Sequence, residues 1–279
     1  MDTTLLPANR PFHPARLRQT VLKMAHAGAT VHIACAFSII ELVAVLHRHH
    51  LRYPGNAPRA EGRDYFVLSK GHGVMAQYAC MHERGWLNDA DLETYFADGT
   101  ALKGLSDSRI PGLEVTSGSL GHGFSVGVGL AMGLQRLGRD QKVYALVGDG
   151  EMNEGPIWEG ALVAAHHRLD NLMMIVDCNR FQAMGRTEEV LSLGDLPAKL
   201  ASFGFAVQGV DGHDEQAIDS AVRSLWQQHP GQPKALVAHT VKGKGVPFME
   251  HQNQWHYTRL NEQTFAEAMA TVAAGLEAA

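Results

Sequence analysis

Apolar residues recur at three- and four-residue spacing through ARLRQTVLKMAHAG (15–28), SIIELVAVLHRHH (38–50) and GVMAQYACMHERG (73–85). That period predicts amphipathic helices over the first half of the chain, from about Ala15 to Leu137. From residue 143 the rhythm changes. Short apolar runs, VYALV (143–147), LMMIVD (172–177), FAVQGV (205–210) and ALVAHT (235–240), alternate with the helix-like IWEGALVAAHHRL (157–169), LPAKLASFG (196–204) and DEQAIDSAVRSLWQQ (214–228). Strands with no polar alternation are covered on both faces. The pattern therefore predicts an α/β fold: a doubly wound, mostly parallel sheet with helices on both faces. The tail NEQTFAEAMATVAAGLEAA (261–279) reads as a further helix, and with no internal repeat or low-complexity linker the expectation is one domain over 1–279.

Two glycine- or histidine-rich stretches look like sites and are discounted. GHGFSVGVG (121–129) lacks a preceding apolar strand and the full GxGxxG spacing of a phosphate loop. HRHH (47–50) has the look of a metal tract, but is expected to cap the exposed end of a helix.

Composition narrows the setting. The chain has 279 residues, 45% hydrophobic, and a formal charge of −5. A weakly acidic balance gives no support to nucleic-acid or anionic-membrane binding. The three cysteines, Cys35, Cys80 and Cys178, form no CxxC pair, so neither a disulfide framework nor a zinc site is indicated. The start of the chain lacks the apolar core of a signal peptide, and no apolar stretch reaches membrane-spanning length. The expected location is a reducing cytoplasm.

Candidate chemistry begins at GDGEMNEG (148–155), directly after VYALV. Ligands of doubly wound sheets bind beyond the carboxyl ends of the strands, and Asp149 lies just past one. Gly148 and Gly150 let the backbone turn and approach a ligand closely. The next apolar run ends at Asp177, and Asn179 follows thirty positions after Asp149. Consecutive strands are commonly neighbours, about 4.8 Å apart, so one carboxylate and one amide oxygen can reach the same ion. Few, hard oxygen ligands suit magnesium, which completes its shell with phosphate and water. A helix beginning near Asn153 points its amino end to the same place and favours a diphosphate. GDG alone also describes a tight turn; the Asn beyond the next strand is what favours a magnesium diphosphate site.

GDG followed by a distal Asn is similar to the thiamine diphosphate motif. LSKGHG (68–73), PGLEVTSGSLGHG (111–123), VDGHD (210–214) and TVKGKGVPFME (240–250) resemble transketolase segments in the same order, so the likeness runs from about Ala15 to His256. The chain looks like the amino-terminal, diphosphate-binding subunit of a split, two-chain transketolase. That resemblance implies thiamine diphosphate and Mg2+ (or Ca2+ or Mn2+ in its place) as cofactors. Asp149, Asn179 and the carbonyl of Phe181 would take the metal. His72, Gly118, Ser119, Leu120, Gly148, Gly150, Glu151, Asn179 and Lys244 would line the cofactor, and His256 would approach diphosphate or substrate. His32 and His72 would act as hydrogen-bond donors or proton shuttles, and Glu154 and Glu159 would join a buried acidic network between two sites of a dimer. Each has a plainer reading: His32 a satisfied core histidine, Glu159 an ordinary first-turn glutamate, KGKG a solvated loop.

The resemblance implies transfer of a two-carbon ketol unit from a ketose, or ketose phosphate, to an aldose. It also implies a missing half: the glutamate that activates the cofactor belongs to a pyrimidine-binding domain, expected here on a carboxy-terminal partner subunit in an α2β2 heterotetramer. Departures from the family pattern gather around the substrate. Leu105 in KGLSD, expected to be buried, stands where a histidine near the reacting carbonyl is usual. Met184 replaces an aspartate, and Tyr257 and Thr258 follow Trp-His in place of glycine and lysine. These changes predict an intact cofactor site and a retuned sugar pocket. The rival expectations are the α subunit of a 2-oxo acid dehydrogenase or acetoin-type enzyme, and a non-catalytic scaffold subunit.

Overall fold

The computed structural model describes residues 10–28 and 30–277; the first nine residues and Ala278 and Ala279, at the end of the expected tail helix, lie outside them. Its centre is a five-stranded, wholly parallel sheet of β1 (Tyr65–Leu68), β2 (Val143–Gly148), β3 (Leu172–Cys178), β6 (Ala206–Asp211) and β7 (Lys234–His239), in the order β1-β2-β3-β7-β6. A two-stranded ribbon, β4 (Phe181–Gln182) and β5 (Gly185–Arg186), projects beyond the carboxyl end of β3. The helices are α1 (Pro14–Ala27), α2 (Ile33–Phe37), α3 (Ile40–Val45), α4 (Val74–Glu83), α5 (Asp89–Glu93), α6 (His122–Arg136), α7 (Gly155–His166), α8 (Thr187–Leu191), α9 (Leu196–Ser202), α10 (Glu215–Gln228) and α11 (Glu262–Glu277).

Alternation along each strand divides the apolar interior in two. Val143, Ala145 and Val147 of β2, with Leu172, Met174 and Val176 of β3, face Phe124 and Val128 of α6, Ile157 and Ala161 of α7, and Leu200 of α9. Tyr144, Leu146, Met173 and Ile175 point the other way, into α1, α3, α4, α10 and α11. The connections from β1 to β2, β2 to β3 and β3 to β6 run in one direction across the sheet and enter the next strand from α6, α7 and α9 on the first face. The return from β6 to β7 reverses direction, and α10 lies on the second face, as right-handed crossovers require. The doubly wound expectation holds, and β2 and β3 are neighbours, with Gly148 paired to Asp177.

Two segments gain an assignment that periodicity did not supply, and the expectation for HRHH is corrected. GHGFSVGVG is the start of α6. Its glycines bring the helix close to the sheet: a Cβ on Gly123 would lie 2.6 Å from Ser69 Cα, and one on Gly127 3.4 Å from Ala145 Cβ. YFVL forms β1, a strand of four residues too short for a periodic signal. In HRHH only His49 is exposed; His47 is buried, its Nδ1 accepting from Arg84 Nε at 2.8 Å.

Candidate active site at the carboxyl ends of the strands

Asp149 leaves β2 with its amide donating to the Asp177 carbonyl, 3.1 Å away. Its carboxylate is 2% exposed and accepts from the amides of Gly150 (2.8 Å) and Arg180 (2.6 Å) and from Thr187 Oγ1 (3.3 Å). Burial, and then the neighbouring Asp177, push its pKa up to about 6. Asn179 donates through Nδ2 to Asp177 at 2.8 Å, which turns Oδ1 outward, where it accepts from the Phe181 amide at 3.0 Å. Among the described residues no group of three or more His, Cys, Asp or Glu side chains stands ready for a metal. For a cation, the ends of these adjacent strands offer one carboxylate, Asp149, and one amide oxygen, Asn179 Oδ1. That donor set fits magnesium. Gly150 is required by space, since a Cβ there would come within 2.7 Å of Gln182 Cβ.

Asp177 was not singled out from the sequence, yet it organises the site. It is fully buried and accepts from Ser38 Oγ (2.8 Å), Asn179, Thr240 Oγ1 and the buried ammonium of Lys70. Burial alone would raise its pKa; Lys70 and the hydroxyls outweigh it and hold the carboxyl below its ordinary range. Lys70, from the KGHG stretch at the end of β1, also donates to the Cys35 carbonyl at 3.1 Å. The one clue in sequence was its place two residues before His72.

Glu151 faces inward, with both oxygens engaged. They accept from Ser69 Oγ, from the Gly121 amide at 2.8 Å and from the Gly148 amide at 3.2 Å. This carboxylate ties the ends of β1 and β2 to the amino end of α6, and burial raises its pKa. It fixes the loop of Gly118, Ser119 and Leu120, which forms a partly exposed rim. Leu105 packs on that rim, against Gly118, and is 42% exposed: at this position the leucine is open to solvent, not buried as expected.

Across the chamber, three histidines meet. The His32 ring lies 5.2 Å from His72, 5.3 Å from His256 and 4.5 Å from Tyr257. Burial first, then His256, Lys242 and Lys70, lower His32 to about 4, and burial with Lys242 brings His256 to about 4 as well. His72 is lowered by burial. All three are neutral imidazoles near pH 7. Lys242 Nζ lies 2.6 Å from His256 Nδ1, which leaves the His256 proton on Nε2. Cys35 Sγ stands 3.7 Å from the same nitrogen; burial pushes the thiol up, but His72, Lys242 and Lys70 outweigh it and bring it down to about 7.

Of the two lysines of KGKG, it is Lys242 that enters this cluster. Lys244, the residue chosen from the sequence, turns its ammonium towards Glu250, 4.0 Å away, and lends its carbonyl to Arg18 Nε. Glu154 and Glu159 are exposed on the described chain, at the start and on the outer face of α7. Met184 and Tyr257 are also exposed, at 76% and 54%.

The chain matches the family described as "Transketolase, thiamine diphosphate binding domain" over residues 16–277. It is 35% identical to one of the subunits of the apulose-4-phosphate transketolase of Phocaeicola vulgatus, over 93% of this chain and 92% of that protein. It is 38% identical to a 6-deoxy-6-sulfo-D-fructose transketolase subunit of a Clostridium species, over 86% and 87%. Its fold superposes on the transketolase of Leishmania mexicana with a TM-score of 0.84 at 25% identity, covering 95% of this chain but only 44% of that one. The cation-ready oxygens, the strand ends that carry them and the likeness of the whole chain converge: this protein belongs to the transketolase family, of which it provides the thiamine diphosphate-binding domain.

Proposed function

We propose that the chain is the amino-terminal subunit of a two-chain transketolase dependent on thiamine diphosphate and Mg2+. With a carboxy-terminal partner that carries the pyrimidine-binding domain and the activating glutamate, it moves a two-carbon ketol unit from a ketose or ketose phosphate to an aldose. The observation that carries this reading is the placement of Asp149 and Asn179 just beyond two adjacent strands, on a chain that also gathers His32, His72 and His256 into one cluster. When bound, thiamine diphosphate supplies the electron sink that carbon–carbon cleavage needs. The chain's own part is positioning and proton handling. Asp149, Asn179 and Phe181 hold the cation, and Gly150 admits the diphosphate backbone to backbone. Lys242 offsets its charge and fixes the tautomer of His256, so that His256 Nε2 donates to a substrate oxygen. His32 and His72, neutral at the working pH, donate or take a proton at the sugar hydroxyls and carbonyl.

The sugar is a specialised one in this reading. Two relatives are named for unusual sugars, and the rim of this site presents Leu105 and Tyr257 where the family pattern has polar or small residues. A leucine offers no hydrogen bond, so recognition of a substrate hydroxyl at that point is lost or shifted to the partner. Glu154 and Glu159, exposed here, fit a surface that a second copy covers, which leads to an α2β2 assembly working in the cytoplasm. The test is the native mass of the untagged protein from its own host, with thiamine diphosphate and Mg2+ present, followed by a screen of ketose donors. A heterotetramer that transfers a ketol unit is expected. A partnerless monomer or homodimer, or turnover of pyruvate instead of a ketose, overturns the proposal.

A further inference from the structure

The stretch VDGHD (210–214) closes β6 and turns the chain into α10. Three of its residues serve that turn. Asp211 accepts from the His213 amide at 2.9 Å, and Asp214 caps α10 by accepting from the amides of Gln216 and Ala217. Gly212 leaves no room for a side chain, since a Cβ there would lie 2.3 Å from Thr240 Cγ2. The His213 ring has no part in the turn and instead reaches two segments far away in the chain.

Its Nε2 accepts from the Val241 amide at 2.8 Å, which leaves the ring proton on Nδ1, donated to Glu41 Oε2 at 3.0 Å. Glu41, buried in α3, also takes the Arg18 guanidinium on both oxygens, at 2.7 and 3.0 Å. Arg18 in turn donates through Nε to the Lys244 carbonyl at 2.8 Å and packs beneath Gly245, where a Cβ would come within 3.1 Å of Nε. Val241, His213, Glu41, Arg18 and Lys244 thus form a closed circuit that grips the 241–244 loop at both ends. Gly243, in the middle, donates to the Ala34 carbonyl at 3.1 Å. Lys242 lies between the two grips, fully enclosed, with Nζ 2.6 Å from His256 Nδ1.

We propose that His213 is a positioning residue for the transfer reaction: by holding the Val241 amide it fixes the loop that brings Lys242 to His256. The grip on the loop stands on these contacts alone, whereas its consequence for the reaction rests on the two-chain transketolase reading. Lys242 is the next residue after Val241, so release of that amide moves the lysine and loosens its contact with His256 Nδ1. A misplacement of about 1 Å is enough to cost about a hundredfold in rate.

The test uses the full chain in its purified assembly, saturated with thiamine diphosphate and Mg2+. Two variants separate the two hydrogen bonds of the ring. His213→Asn keeps a donor where Nδ1 was, for Glu41, but has no atom that reaches Val241. His213→Gln reaches the position of Nε2 and still accepts from that amide. Hydrogen exchange of residues 241–251 is read by mass spectrometry, and kcat/KM for the most active donor of the ketose screen by steady-state kinetics. In His213→Asn, exchange of that segment should quicken about tenfold, the worth of one hydrogen bond, and kcat/KM should fall about ten- to a hundredfold. In His213→Gln both should return to within about threefold of the parent. Unchanged exchange in His213→Asn, faster exchange spread evenly along the chain, faster exchange with kcat/KM intact, or no rescue by His213→Gln each overturns the assignment. If the parent assembly transfers no ketol unit, the transketolase reading fails at that control, and the exchange comparison still decides whether His213 holds the loop.

Discussion

Lys70→Met is the most informative single change to the site. The substitution keeps the length of the side chain and removes one ammonium from a fully enclosed position: Lys70 is 1% exposed and Asp177, its partner, 0%. Asp177 then keeps only the neutral donors Ser38, Asn179 and Thr240. Breaking a buried ion pair from one side costs about 3–5 kcal/mol, because the remaining charge is left uncompensated. With a denaturant slope of about 3 kcal/mol/M for a chain this long, the urea midpoint should fall by about 1–2 M. Adding Asp177→Asn removes the stranded charge while its amide oxygen still accepts from the hydroxyls, so the double variant should recover at least about 2 kcal/mol relative to additivity. Because Asp177 also turns the Asn179 amide, both variants should bind Mg2+ with thiamine diphosphate less tightly, by about 10–100-fold, in isothermal titration. If Lys70→Met lowers the midpoint by less than about 0.3 M, or the two changes add with no coupling, Lys70 does not neutralise Asp177 and the account of the site fails.

Three further outcomes are expected. Asp149→Asn should weaken Mg2+-supported thiamine diphosphate binding by more than about a hundredfold in calorimetry, beyond the effect of outer groups, and binding within tenfold of the parent would remove Asp149 from the metal. His32 and His256 are lowered to about 4 by burial, so between pH 6.5 and 4 the unfolded chain takes up protons that the folded chain refuses; stability should fall as pH drops through that window, and His32→Asn should flatten the slope of urea midpoint against pH. Gly123→Ala should destabilise by about 1–3 kcal/mol, since its methyl would strike the Ser69 backbone, whereas Gly129→Ala, with open space around it, should stabilise the free chain by up to about 1 kcal/mol; a urea series on both separates close approach from helix propensity.

The sequence by itself determined the architecture and the place of the candidate metal ligands at its strand ends. Four apolar runs long enough to be buried on both faces, separated by helical periods, leave little besides a parallel sheet covered on two sides, and the residue after such a run is at a ligand-facing end by topology alone. Asp149 and Asn179 were legible for that reason. Folding decided the rest. β1 escaped notice because four residues carry no period. α6 escaped because glycine lowers helix propensity, and its glycines make sense only once Ser69 and Ala145 are seen pressed against them. KGKG offers two lysines, and only the turn through Gly243 (φ +79°) and Gly245 (φ +89°) settles that Lys242 points inward to His256 while Lys244 faces Glu250. Asp177 reads as the last residue of a strand until Lys70, Ser38 and Thr240, from three distant segments, close around it. Local pattern fixes which residues end a strand; which charges meet beyond that end depends on contacts between residues far apart in the chain, and no local pattern records those.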